Sequence, residues 1–239
     1  MIDLAIVGYG KMGKMIESII DPDEFRLTAK FDLANPANEH MKNKPDVAFE
    51  FSTPASVIGN IEFLASKGVN IVCGTTGWYD KTESVKAIVD KYGTGLVYAS
   101  NFSVGVNIFF RIVKEAAKLI NKYPGYNIDI EETHHIQKLD KPSGTAIRIA
   151  DFLIESISRK DKFSSDDPSP AEESINIISK RIENIVGNHR VILDSDADSI
   201  VLEHNAKSRR GFAEGALLAA KYIHGKKGFY RFEDIFTTI

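Results

Sequence analysis

Cysteine is nearly absent from this 239-residue chain: Cys73 stands alone, so an internal disulfide is impossible and a reducing compartment is expected. A strong charge bias is missing too. The net charge of −3 excludes the basic footprint of a nucleic-acid binder. No apolar run approaches the roughly 20 residues that cross a bilayer, so no membrane partner is expected. Met1-Ile2-Asp3-Leu4 offers no basic segment followed by an apolar one. No secretory signal is therefore expected, and the reading is a cytoplasmic protein. Internal repeats are lacking as well. What is present is an ordinary globular balance, 43% hydrophobic and 26% charged, enough to bury a core in one large domain or two small ones.

The first half alternates strands with helices. Ile2 to Val7 is an apolar run that ends at Gly8, as a buried strand does. From Lys11 to Ile20, Met12, Met15, Ile16, Ile19 and Ile20 share one helical face. Further strands are predicted at Leu27–Phe31, Asp46–Phe51, Asn70–Cys73 and Gly95–Ala99, with helices over 55–67 and 80–92. Between Asp32 and Asp46 there is little room for a helix. This rhythm predicts an α/β fold with a parallel, doubly wound, Rossmann-like sheet.

After Phe102 the rhythm changes. A long helix is predicted over Val104–Asn121, a half-exposed strand over Tyr126–Glu132, and a helix over Ser143–Ser158. Arg159 to Glu173 is rich in Lys, Asp, Ser and Pro and predicts a mobile surface loop. Strand-like runs at Ile175–Ile182, Arg190–Leu193 and Ile200–His204 predict an open, mixed or mainly antiparallel sheet with helices on one face. A last amphipathic helix is predicted over Gly211–Tyr222. Two domains are expected: a dinucleotide-binding domain of residues 1–102 and 211–239, and an α+β substrate domain of residues 103–210.

Gly8-Tyr9-Gly10-Lys11-Met12-Gly13 is a GxGxxG between a strand and a helix. Such glycines permit a tight turn and the close approach of a pyrophosphate, which then faces the unpaired N–H groups of the helix start. Asp32 closes the second strand, where a carboxylate can accept hydrogen bonds from ribose hydroxyls. The alternative is a merely tight strand-to-helix turn. Three more loops follow strand ends: Phe51-Ser52-Thr53-Pro54, Gly74-Thr75-Thr76-Gly77 and Ala99-Ser100-Asn101-Phe102. Each alone reads as a plain turn, but three at the ligand-binding edge of a parallel sheet favour a shared cleft.

The stretch from Glu132 to Thr145 carries His134, His135, Lys138 and Pro142-Ser143-Gly144-Thr145. Two imidazoles supply acid–base groups near neutral pH, and Lys138 supplies a cation. Ser143, Gly144 and Thr145 open a helix whose start can hold a carboxylate through backbone N–H groups and hydroxyls. The residues equally permit a plain capped helix after a strand with two surface histidines. Zinc is disfavoured, because adjacent residues on a strand point to opposite faces. No cysteine or further histidine is near in sequence, so no metal is expected.

At these motifs the chain resembles the 4-hydroxy-tetrahydrodipicolinate reductase (dihydrodipicolinate reductase) family. The likeness takes in the glycine loop, Cys73 to Gly77, Asn101 to Asn107, Glu132 to Thr145 and the tail Gly228-Phe229-Tyr230. It implies hydride transfer from NADH or NADPH to a small cyclic dicarboxylate after loss of water, in lysine and diaminopimelate biosynthesis. His134 falls where the family has its catalytic acid and Lys138 where it has a proton-donating, substrate-binding lysine. His135, Gly144 and Thr145 fall at substrate-contact positions. Gly74, Thr75, Thr76 and Ala99 to Phe102 fall at the nicotinamide side. A homotetramer built through the substrate-domain sheets is implied.

The departures are Gln137, where many members have a histidine, and Leu33-Ala34-Asn35 after Asp32, without the arginine that some members offer to a 2′-phosphate. NADH is therefore the expected preference. Cys73 reads as a buried strand-end thiol. The rival readings are another two-domain dehydrogenase, in the acylating case with a nucleophilic cysteine in its cleft, and a non-catalytic dinucleotide sensor.

Overall fold

A computed structural model describes residues 1–235. The elements in chain order are β1 (Ile2–Val7), α1 (Lys11–Ser18), β2 (Phe25–Phe31), α2 (Ala37–His40), β3 (Val47–Glu50), α3 (Val57–Ser66) and β4 (Asn70–Cys73). Then come α4 (Thr82–Tyr92), β5 (Gly95–Tyr98), α5 (Val104–Ile120), β6 (Asn127–His134), α6 (Gly144–Ser156) and β7 (Lys162–Ser165). The described residues finish with β8 (Ser174–Arg181), β9 (Gly187–Asp194), β10 (Ser199–Ala206), α7 (Arg210–Ile223), β11 (Gly228–Arg231) and α8 (Phe232–Ile235). Two compact units divide it: Met1–Val104 with Arg209–Ile239, and Gly105–Ser208. Residues 236–239, which close the expected nucleotide domain, lie outside the described residues. Among the described residues no helix is long and apolar enough to cross a membrane.

The first unit is a parallel sheet in the order β11-β5-β4-β3-β1-β2. Its central strands are apolar on both faces because both are covered. Leu4, Ile6 and Val72 pack towards α1, α7 and α8 with Ile16, Ala216 and Phe232. Ala5, Val7 and Ile71 pack on the other side with Ile61, Leu64 and Val85. Strand order reverses between β1 and β3, the switch point at which open α/β sheets bind ligands. The register aligns the strand ends: Val7 lies beside Phe31 and Glu50, Glu50 beside Cys73, and Cys73 beside Tyr98. The residues that follow, Gly8, Asp32, Phe51, Gly74 and Ala99, therefore emerge at one edge.

The second unit is a mixed sheet in the order β10-β9-β6-β8-β7. The β10, β9 and β6 strands are antiparallel; β6, β8 and β7 are parallel. One face packs on α5 and α6 through Phe109, Phe110, Val113, Ile149, Phe152 and Leu153. Leu202, Val191, Ile130 and Ile177 form a cross-strand apolar row on that face.

Two local expectations are corrected, and one strand is added. A single helical turn, α2, does fit between Asp32 and Asp46; Pro36 sets its entry and Ala37 is buried. The expected mobile loop over Arg159–Glu173 contains β7, which pairs in parallel with β8 from Lys162↔Ser174 to Ser165↔Ile177. Its polar sequence suits an exposed edge strand. The tail motif Gly228-Phe229-Tyr230 is a sixth parallel strand, β11, paired to β5. At four residues it is too short for a periodic signal, and its partner lies far upstream.

Phe152 is fully buried and packs edge-on to Phe110 at 5.3 Å, with the Lys114 ammonium 3.8 Å above its ring. Phe152→Ala should cost ~3–5 kcal/mol. Its denaturant transition, followed by far-ultraviolet circular dichroism, should move to lower concentration. Trp78, the sole tryptophan, is buried in the first unit, so its fluorescence reports that unit instead. An unchanged dichroism midpoint would contradict this packing.

Candidate active site

In the first unit the glycine loop is shaped by close packing. Gly8 has φ +96°, and a Cβ there would overlap the Phe51 carbonyl of the neighbouring loop. A Cβ on Gly13 would stand 2.9 Å from the Gly8 carbonyl oxygen and from the Ile6 side chain, whereas Gly10 faces open space. No side chain caps the start of α1 at Gly10, so its first N–H groups keep their capacity for a ligand. A cavity of about 560 Å³ opens beside them. Gly8, Tyr9, Gly10, Asp32, Phe51, Ser52 and Thr53 line it, with Leu33, Ser56 and Asn60.

Polar groups along this cavity are already ordered. Asp32 Oδ1 accepts the Ala34 and Asn35 N–H groups at 3.0 Å each, which fixes the turn after β2. Ser52 and Asn60 both bond the buried Glu50 carboxylate, Asn60 at 3.0 Å. The Lys30 ammonium sits 4.7 Å over the Tyr9 ring, and that of Lys14 5.9 Å. Around the other loops, Gly74 is tight because a Cβ would overlap the Phe51 ring. Thr75 and Phe102 are buried, and Asn101 Oδ1 accepts the Ser103 N–H at 2.8 Å. Cys73 is fully buried, and burial followed by the Glu50 charge pushes its thiol well above the ordinary value. It has the character of an inert thiol.

In the second unit the covered face of the sheet turns polar at the end of β6. Strand alternation puts Ile128, Ile130, Glu132 and His134 on that face. The row beyond Ile130 reads His204, His189, Glu132 and Ser179 across four strands. Glu132 is fully buried. Its Oε1 accepts the Ser143 N–H at 3.1 Å and faces the Arg181 guanidinium at 3.4 Å. Its Oε2 stands 3.3 Å from His134 Nδ1 and 3.9 Å from His189 Nε2. Burial pushes this carboxyl up, but the polar groups turned towards it from His134, Ser143 and Ser179 outweigh that and hold the group well below the ordinary range.

His189 behaves oppositely: burial first, then the neighbouring His134 charge, lower it to about 3, so it stays neutral. Lys138, in the loop after β6, pairs with Asp140 at 2.8 Å. Ser143 caps α6 by accepting the Ala146 N–H at 3.2 Å, and its hydroxyl also lies 3.3 Å from His189 Nε2. That hydroxyl is spent on the fold rather than offered outward. His135, half-buried, is the first residue after β6, and Gly144 and Thr145 form the first turn of α6.

Several members of this cluster were invisible in sequence. His189 and His204 are separated from Glu132 by whole strands and fall in one row with it only through pairing. The expectation that no further histidine lies near His134 is therefore corrected: the His134 and His189 rings are 5.0 Å apart. Glu132, His134 and His189 bring ligand atoms within 4.8 Å, a spacing that a metal ion could use. Arg181 and the Ser143 N–H compensate the Glu132 charge without one. The two-residue spacing of Glu132 and His134 was the one signal available beforehand.

Family models match almost the whole chain: dihydrodipicolinate reductase N-terminus over residues 2–102 and C-terminus over 105–236. The chain belongs to the dihydrodipicolinate reductase family. A 4-hydroxy-tetrahydrodipicolinate reductase of Christiangramia forsetii is 38% identical over 99% of this chain and 98% of its own length. Another, from Methanococcoides burtonii, is 34% identical over 98% and 99%. A dipicolinate-bound dihydrodipicolinate reductase from Paenisporosarcina sp. TG-14 shares the fold, with a TM-score of 0.77 at 22% identity over 98% of this chain and 99% of that one. Members of this family thus carry the doubly wound sheet and the second, mixed sheet described above.

The neutral His189 sets an acid limit on stability. Unfolded, a histidine takes up its proton near its ordinary 6.5; folded, this one resists it down to about 3. Stability is therefore complete above the unfolded value and is lost as pH falls through this window, by up to ~1.4 kcal/mol per pH unit. Glu132, held below the ordinary range, adds a loss that begins only at lower pH. Denaturant midpoints should fall between about pH 7 and about pH 5, before the carboxylates titrate, and His189→Asn should flatten that segment. A wild type with no slope in that range would contradict a buried neutral imidazole.

Proposed function

We propose that this protein reduces 4-hydroxy-tetrahydrodipicolinate to tetrahydrodipicolinate with a nicotinamide dinucleotide, a step towards diaminopimelate and lysine. The observation that carries the reading is local to the second unit. One strand end, one loop and one helix start bring together a buried acid–base imidazole, a lysine and an anion-binding turn. Family membership over nearly the full chain supports it.

The first unit fits a dinucleotide. Gly8 leaves room that a Cβ would fill, and Gly10 opens onto space beside an uncapped helix start. Gly8, Tyr9, Gly10, Lys11, Met12 and Gly13 would hold the pyrophosphate. Asp32 would meet the adenosine ribose. Phe51, Ser52 and Thr53, with Gly74, Thr75, Thr76 and Ala99 to Phe102, would border the remainder. When bound, the nicotinamide supplies the hydride. NADH is the preferred form in this proposal, because a 2′-phosphate would face the Asp32 carboxylate. Lys30 and Lys14 at the Tyr9 ring soften that bias.

The residues of the second unit do the rest. His134 donates a proton as the ring is reduced. Lys138 exchanges Asp140 for a substrate carboxylate and so trades one ion pair for another. His135 and the α6 start at Gly144 and Thr145 hold the second carboxylate, with Ser143 keeping that turn in shape. The dipicolinate of the Paenisporosarcina enzyme is itself a planar dicarboxylate, which supports this substrate class. A cytoplasmic homotetramer joined through the mixed sheets is also proposed; the edge strand β10 exposes Ile200 and Val201, as a pairing surface would. An acylating dehydrogenase is disfavoured because Cys73 is buried, with its thiol raised.

The decisive assay is consumption of NADH or NADPH with substrate generated by the preceding synthase. No consumption above the synthase background would overturn the reading. His134→Gln should lower kcat by ~10²–10⁴-fold while NADH still binds. A variant with near-normal kcat would remove His134 from its role.

For cofactor choice, kcat/KM with NADH should exceed that with NADPH by roughly 5- to 30-fold, a net bias of ~1–2 kcal/mol after screening. Asp32→Ser combined with Leu33→Arg should move preference towards NADPH. Equal use by wild type, or an unmoved ratio in the double variant, would mean that Asp32 does not face the ribose.

A further inference from the structure

Glu132 makes no contact with the substrate in the proposed reaction, yet it is the most completely enclosed charge in the second unit. An uncompensated carboxylate is not tolerated in such a place. Compensation comes from three elements at once: His134 on its own strand, Ser143 at the start of α6 and Arg181 on β8, with His189 on β9 standing farther off. Glu132 Oε2 and His134 Nδ1 are each buried without an aligned hydrogen-bond partner, and they face one another at 3.3 Å.

His189 cannot replace His134 as the charged partner. It lies farther from Oε2, at 3.9 Å, and turns the same nitrogen towards the Ser143 hydroxyl at 3.3 Å. Burial also keeps it neutral, at about 3. The other charges nearby do not compete for His134. Arg181 is on Oε1, Lys138 is paired with Asp140, and Asp166 is paired with Lys141. Burial lowers the pKa of His204 on β10. On the opposite edge of the His134 ring, a Cβ on Gly187 would stand 3.1 Å from Nε2 and 3.3 Å from Cδ2. The glycine leaves that edge uncrowded.

We propose that Glu132 is the positioning residue for His134: its carboxylate holds the proton on Nδ1 and stabilises the imidazolium, so that Nε2 delivers the proton to the substrate. The inference rests on His134 being the acid. In the step, the Nε2–H bond breaks and a C–H or N–H bond forms on the reduced ring. The imidazole is left neutral with Nδ1–H against Glu132, and solvent restores the Nε2 proton before the next turnover. Because Oε1 takes the Ser143 N–H, the same carboxylate fixes the imidazole relative to the turn that holds the substrate anion.

The test is Glu132→Gln, which keeps an oxygen for the Ser143 N–H but removes the charge. It should lower kcat about 10- to 100-fold, a part of the whole acid contribution, and leave NADH binding unchanged. The basic limb of the kcat–pH profile should move to lower pH, since an imidazolium without its carboxylate gives up its proton sooner. In a His134→Gln background the same change should cost little more. A wild-type kcat and profile in Glu132→Gln, beside a crippled His134→Gln, would overturn the proposal. So would a loss without a moved limb, or an additive loss in the double variant, since either marks a merely structural role. If His134→Gln alone is active, the reading of His134 as acid fails instead. Should Glu132→Gln not fold, ¹⁵N NMR of the wild type decides: Nδ1–H in the neutral ring supports the proposal, and Nε2–H overturns it.

Discussion

Strand register is the constraint on which both units rest. In the parallel sheet it brings the ends of β1, β2, β3, β4 and β5 to one level, so that five loops leave at a common edge. In the mixed sheet it sets Leu202, Val191, Ile130 and Ile177 in one row and His204, His189, Glu132 and Ser179 in the next. A slip of one residue in β6 would turn Glu132 and His134 to the other face together with Ile128 and Ile130. The apolar half of the strand therefore enforces the position of the polar half. Burial of two isoleucines specifies where the carboxylate and the imidazole must stand.

That coupling explains how a sheet face can be a core at one end and a reactive cluster at the other. Near α5 and α6 the face is closed by Phe109, Phe110 and Phe152. Two residues further along β6 the same enclosure persists, but the groups are ionisable. Enclosure presses both groups towards their neutral forms, but Glu132 remains ionised because donors converge on it, whereas burial and the neighbouring His134 charge keep His189 neutral. One charged centre surrounded by neutral or cationic groups is an arrangement in which a proton can be held at a chosen atom. In the first unit, Glu50 plays a comparable structural part, gathering Ser52 and Asn60 at the wall of the cavity.

What could be read beforehand was whatever depends on near neighbours in the chain. Gly8, Gly10 and Gly13 announce a turn because φ and Cβ clearance are local properties, and the apolar runs of β1, β3, β4 and β5 announce a doubly covered sheet. The resemblance carried by His134, Lys138 and Ser143 to Thr145 pointed to the chemistry. The elements that escaped are short or lie at an edge. The strand β7 is polar because one side faces water, β11 acquires its identity only beside β5, and α2 is a single turn.

The amino-acid sequence by itself determined the order of the elements, the faces that would be buried and the residue types available for binding and acid–base work, since periodicity and backbone preference act over a few residues. Only the tertiary structure decided how those residues are used. Ser143 caps a helix and Lys138 is held by Asp140. His189 and Arg181 meet Glu132 from strands distant in sequence. Ionisation, enclosure and hydrogen bonding depend on neighbours across the sheet, and a linear chain does not name those neighbours until pairing has fixed its register.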